Sequence, residues 1–173
     1  MNRVIPKIGV AIVTLTVFLF ALFILTGFSF GQYLVCSFLP LGYIMMSAGF
    51  QHESDADRRV SANRGMIFAA VYAVLVLLVY FSQNTYVRLE SLTEPAESAL
   101  CFVPGSLMFS YDLLGYGMMS LSTFFIGLSM KPENKPDKWL KYLMIIHGIF
   151  FLGCFFMLMM VIFSILSDSE GLG

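Results

Sequence analysis

The stretch from Ile8 to Phe28 reads IGVAIVTLTVFLFALFILTGF. It carries no charge, and its only polar side chains are Thr14, Thr16 and Thr26. A helix needs about 20 apolar residues to cross a hydrocarbon core of about 30 Å, so this run alone spells a membrane span. Four more follow: Tyr33–Phe50, after the short break Ser29-Phe30-Gly31-Gln32, then Met66 to about Ser82, about Ser106 to Met130, and Tyr142–Leu166. Every charged residue except Asp112 lies between or outside these runs. Backbone groups in lipid must be bonded internally, which leaves helices or a closed barrel. Barrel strands are about 10 residues long and alternate in polarity. These runs are about twice that length and do not alternate. The chain therefore reads as all-α, a single integral membrane bundle of five transmembrane helices over 8–28, 33–50, 66–82, 106–130 and 142–166.

Composition excludes the rival classes. Charged residues make up 12% of the 173 positions, half the roughly 25% of a soluble domain. A hydrophobic fraction of 58% excludes disorder. A net charge of -1 without a basic stripe argues against nucleic acid. No internal repeat appears, so an inverted-repeat transporter is not supported.

The basic front, with Arg3 and Lys7, resembles a signal-peptide n-region. The apolar run behind it exceeds the usual 7–15 residues and ends without a small-x-small site, so it reads as a retained span. With the N-terminus in the cytoplasm and the C-terminus outside, nine of the ten Lys/Arg residues fall inside, and only Arg88 lies outside. That asymmetry sets topology and suits a bacterial-type plasma membrane. Trp139 and Tyr142 fit an inner aromatic belt, and Tyr33, Tyr80 and Tyr86 an outer one.

The inner loop Gln51–Arg59 is the most polar stretch. Ser54 and Asp57 have capping spacing, which would start the third helix near Asp55. His52, Glu53, Asp55 and Asp57 lack metal-ligand spacing, so they read as a solvated, charge-balanced loop. Lys131–Lys138 reads as a proline-broken turn against anionic lipid. The outer segment Asn84–Gly105 is longer than a connector needs. Thr93-Glu94-Pro95 starts a short interfacial helix there, and Pro104-Gly105 turns the chain back, so the segment would cap the bundle. Of the three cysteines, Cys36 and Cys101 lie toward the outer side, as a disulfide or as separate thiols, and Cys154 is a packing residue.

Asp112 costs the most. Asp at the membrane centre is charged about 2.5–3.5 kcal/mol, so it must face the bundle, be paired, or carry a proton. Asp112, Tyr116, Ser120, Thr123 and Gly127 recur at steps of four or three and share one helix face. That stripe reads as a packing seam or as the lining of a cavity for a small solute, ion or proton. Partners at the depth of Asp112 are Tyr80, Gln83 and Asn84, with Arg88 just above. An Asp112–Arg88 pair would be a structural latch. Ser61, Gly65, Ala69 and Ala73 form a small-residue ridge for close helix packing. Pro40 with Gly42 predicts a kink in the second span.

His147 is a second candidate polar site. A haem between His52 and His147, or copper among the twelve methionines, is disfavoured against plain packing. No metal or other cofactor is therefore expected. No span holds a lysine for a Schiff base, and no catalytic motif or P-loop occurs, so an enzyme is not expected. Two functions stay open. One is a small carrier or ligand-binding membrane protein using Asp112. The other is an accessory protein that packs against a partner or a second copy in the bilayer, with Asp112 as a latch.

Overall fold

The computed structural model describes residues 4–89, 92–157 and 159–160, and these are helical with no strand among them. In chain order they form α1 (Val4–Thr26), α2 (Ser29–His52), a 3₁₀ turn (Ala56–Arg58), α3 (Arg59–Asn84), α4 (Tyr86–Leu89), α5 (Glu94–Leu100), α6 (Leu107–Ser129) and α7 (Lys135–His147). Four segments are long and apolar enough to cross a membrane: Val4–Thr26, Ser29–His52, Ala56–Arg88 and Lys135–Met157. Large apolar side chains, among them Phe18, Leu25, Val74, Phe81 and Ile146, are more than half exposed. Such a surface suits lipid, not water. The α6 helix has the length of a span, 23 residues, but its polar residues keep it out of that apolar set. Those residues are buried instead: Asp112, Ser120, Ser122 and Ser129 all face protein.

Helix ends differ from the apolar runs where local chemistry overrides hydropathy. Gly27 takes a φ of +67°, a conformation glycine adopts without strain. The chain therefore turns within Gly27-Phe28, and Ser29–Gln32 becomes the first turn of α2 rather than a break. Ser54 and Asp57 form no cap; the Ser54 hydroxyl is buried without a partner, and α3 begins at Arg59 after the 3₁₀ turn. The Lys131–Lys138 stretch is not all turn. The Asn134 side chain accepts from Asp137 N at 2.9 Å, and Pro136 sits in the first turn, so α7 starts at Lys135. Helix α2 runs through a buried Pro40 as one element. At Gly148 the α7 helix gives way to a turn and helix resumes at Phe150. A Cβ on Gly148 would lie 2.7 Å from Phe124, so the turn lets α6 and α7 close in. The end of the fifth run, from Val161 to Leu166, lies outside the described residues, as does Arg3.

The helices pack as neighbours in the order α1, α2, α3, α6, α7, with α2 also touching α6. Small residues set each contact. A Cβ on Gly9 would meet Met46 N at 2.5 Å and Gly42 O at 2.7 Å. Gly65, Ala69 and Ala73 are buried on α3, as the ridge predicts, with Ala62 in place of a half-buried Ser61. Because Gly9 faces backbone that cannot rotate aside, Gly9→Ala is expected to cost about 1–2 kcal/mol. Thermal unfolding in detergent checks this, with Gly153→Ala, where nothing lies within 4 Å, as the control.

The loops at the start of α3 and the start of α7 meet at one end of the bundle. Arg58 Nη1 donates to Met130 O at 2.8 Å and Lys141 Nζ donates to the same carbonyl at 2.9 Å. Both cations thus sit at the negative C-terminal end of α6. Lys131 pairs with Asp55 at 3.8 Å. A cleft of about 870 Å³ opens there between Lys7, Met46, Phe50, Ser54, Met130 and Glu133.

Candidate functional site

Asp112 lies one and a half turns into α6, whose start is fixed by Ser106: its side chain accepts from Phe109 N at 3.1 Å. That register turns Asp112 inward, where it is only 8% exposed. Its Oδ1 is buried with no hydrogen-bond partner. The Tyr80 hydroxyl of α3 faces the carboxyl, and Tyr80 in turn faces Tyr116 and Cys36. Tyr80 is therefore an interior residue and not part of an outer aromatic belt. Of the residues assigned to the two belts, Trp139, Tyr142 and Tyr86 are exposed.

The polar groups continue inward along the α2–α3–α6 contact. The Tyr72 ring meets Tyr116 at a tilt, 5.8 Å between centroids, and Tyr43 edge to face at 5.4 Å. Tyr43 Oη donates to Met119 O at 3.4 Å and faces Ser47 and Ser122. Ser122 Oγ closes the row by donating to Gly65 O at 2.7 Å. Three atoms in this row are buried without partners: Asp112 Oδ1, Tyr72 Oη and Ser47 Oγ. Such orphans are rare in folded proteins. Tyr43, Tyr72 and Ser47 were not singled out by sequence, and Cys36 only as a thiol paired with Cys101 or separate from it. Their spacing on α2, at residues 36, 43 and 47, puts them on one helical face, which is the signal available.

The predicted stripe on α6 divides between two contacts. Asp112 and Tyr116 face the hydroxyl row with α3. Ser120, Thr123 and Gly127 lie toward α7: a Cβ on Gly127 would meet Met144 and Ile145 at 3.1 Å. Ser120 Oγ turns back to Gly117 O at 2.7 Å. Thr123 Oγ1 donates to Ser120 O at 2.8 Å and lies 2.7 Å from His147 Nδ1. His147 also stacks on Phe150 at 5.9 Å. It belongs to this second seam, apart from Asp112.

The other proposed partners of Asp112 have different neighbours. Arg88 lies over the Phe30 ring, 5.0 Å from its centroid, and forms no ion pair with Asp112. Gln83 is buried and binds the outer segment at both ends of its amide, to Leu100 O at 2.7 Å and from Phe102 N at 3.1 Å. The Asn84 side chain is buried without a partner. A short helix forms where expected, α5, which begins after Thr93 without a side-chain cap, and Gly105 at φ +91° turns the chain into α6. Cys36, Cys101 and Cys154 are all free thiols. Among the described residues no group of three or more His, Cys, Asp or Glu comes together to hold a metal. The two clefts at the Met130 end, of about 400 and 870 Å³, are not lined by Asp112.

The chain matches no protein-family model, no curated protein and no solved structure.

Proposed function

We propose that this chain is a five-helix, non-enzymatic protein of a bacterial-type plasma membrane that binds and moves a small solute, ion or proton at Asp112. Its basic end would face the cytoplasm and its C-terminus the outside, with α6 as the fourth of the five spans. The observation that carries this reading is Asp112 itself. It is a buried carboxyl with an orphaned oxygen and, among the described residues, no cation paired with it. An unpaired carboxylate in such a place is neutralised by a proton or by a bound cation, and intramembrane acids of this kind mark ion and proton pathways. Of the three cargoes a proton fits best, because the row beyond Asp112 is filled by side chains, with Tyr72 fully buried. A latch, the alternative role in an accessory protein, would require Arg88, which is engaged with Phe30.

The test is reconstitution into vesicles with a proton gradient, then with Na⁺ or K⁺ gradients, read by internal dyes. Flux above empty vesicles is expected, with a loss of about tenfold or more in Asp112→Asn, since the amide cannot exchange a proton. Equal flux in parent and variant rejects Asp112 as the group. No flux of any cargo in folded protein favours the accessory role.

A further inference from the structure

The row of polar groups needs an entrance, and its outer end is closed by one segment of chain. Between α5 and α6 the backbone makes a tight double turn, with Val103 N donating to Cys101 O at 2.9 Å and Ser106 N to Val103 O at 3.0 Å. This pushes the Phe102 ring inward, onto Tyr33 and Tyr80 at 6.0 Å each and Phe109 at 5.7 Å. Tyr80 is the residue whose hydroxyl faces Asp112 and Cys36. The Phe102 ring therefore packs on the ring whose hydroxyl faces Asp112 and on Phe109, three residues before Asp112 on α6. Leu100 and Phe102 pack against the core and Ser106 anchors the start of α6, while α5 itself has no buried residue and the Gln83 amide makes two hydrogen bonds to the segment.

We propose that Leu100–Gly105 is a gate over the Asp112 site, with Phe102 as its stopper and Gln83 as its latch. The proposal rests on Asp112 being a working site, but the gate can be read without any transport assay. A buried amide satisfied only by two backbone groups of a loop gives that loop one closed position. Releasing it frees Phe102, Leu100 and the turn together, because the same segment carries all three. Opening would uncover the Tyr80 hydroxyl, the Asp112 carboxyl and the Cys36 thiol from the side where α5 lies.

Cys36 is the reporter. It is 2% exposed beneath the stopper, while Cys154, 3% exposed, packs near Gly117 between α6 and α7. Full-length protein carrying Cys101→Ser, in lipid nanodiscs, is treated with N-ethylmaleimide, and labelling of each thiol is followed by peptide mass spectrometry. Gln83→Leu removes the latch without changing bulk, and Phe102→Ala removes the stopper. Both are expected to speed labelling of Cys36 by about tenfold or more, the effect of losing two hydrogen bonds or a packed ring, with Cys154 unchanged. Unchanged Cys36 labelling in both variants overturns the gate. So does a parallel rise at Cys154, which would make the segment a brace for the whole fold. A rise at Cys36 alone, in protein that moves no cargo, upholds the gate and rejects the carrier reading.

Discussion

Asp112→Leu is expected to unfold at a higher temperature than the parent protein while losing any flux. Most buried charged residues stabilise what they touch, and removing one partner of a buried pair costs about 3–5 kcal/mol. Asp112 has no such pair: Arg88 is elsewhere and Oδ1 has no partner. A buried polar atom left unmatched costs about 1–3 kcal/mol, and leucine enters a membrane helix far more readily than aspartate. Against these gains stands the Tyr80 hydroxyl, which faces the carboxyl and would lose that neighbour. The balance favours the variant by about 1–3 kcal/mol. Thermal unfolding in one detergent, parent beside variant, gives the sign. A fall of several degrees would show that Asp112 holds the bundle together, and the latch role would replace the carrier. A rise shows a residue kept at a cost to stability, the usual mark of a functional site.

Asp112 was legible because an acid within an apolar run breaks the rule every other charge obeys. Its surroundings were not. Tyrosine and cysteine pass as apolar in a span, so Tyr43, Tyr72 and Cys36 gave no contrast with their neighbours, and only packing decided which way they point. Depth along the sequence put Gln83 and Arg88 near Asp112, yet depth does not fix azimuth. Gln83 found unsatisfied backbone at Leu100 and Phe102, and Arg88 found the face of Phe30. The helical class followed from hydropathy, while helix ends followed from caps. Asn134 with Pro136 moved the start of α7 outward by two turns into a stretch whose charges had marked it as loop. Pro95 in the first turn and Gly105 at positive φ act as their residue types promise, which is why the short helix and its return into α6 were foreseen, although the Thr93 side chain makes no cap bond.

The α3–α6 contact holds Asp112 against Tyr80, and Gly65 is where it is least tolerant. A Cβ there would stand 2.6 Å from Ile126 Cγ1, 3.2 Å from Ser122 O and 3.3 Å from Ile126 N. Two of those three atoms are backbone and cannot swing aside. Gly65 O also receives the Ser122 hydroxyl at 2.7 Å, so any separation of the helices strands a fully buried Oγ. Overpacking costs about 1–3 kcal/mol and a stranded buried hydroxyl a similar amount. Gly65→Val is thus expected to lose about 3 kcal/mol or more, measured by thermal or denaturant unfolding in detergent. A double-mutant cycle separates crowding from backbone effects. Ile126→Ala alone should destabilise by opening a void, since Ile126 is 1% exposed. Joined to Gly65→Ala, it removes the closest clash, and the pair should cost clearly less than the sum of the two single changes. If the costs simply add, Ile126 is not what Gly65 makes room for, and the close approach of α3 to α6 at this point is wrong.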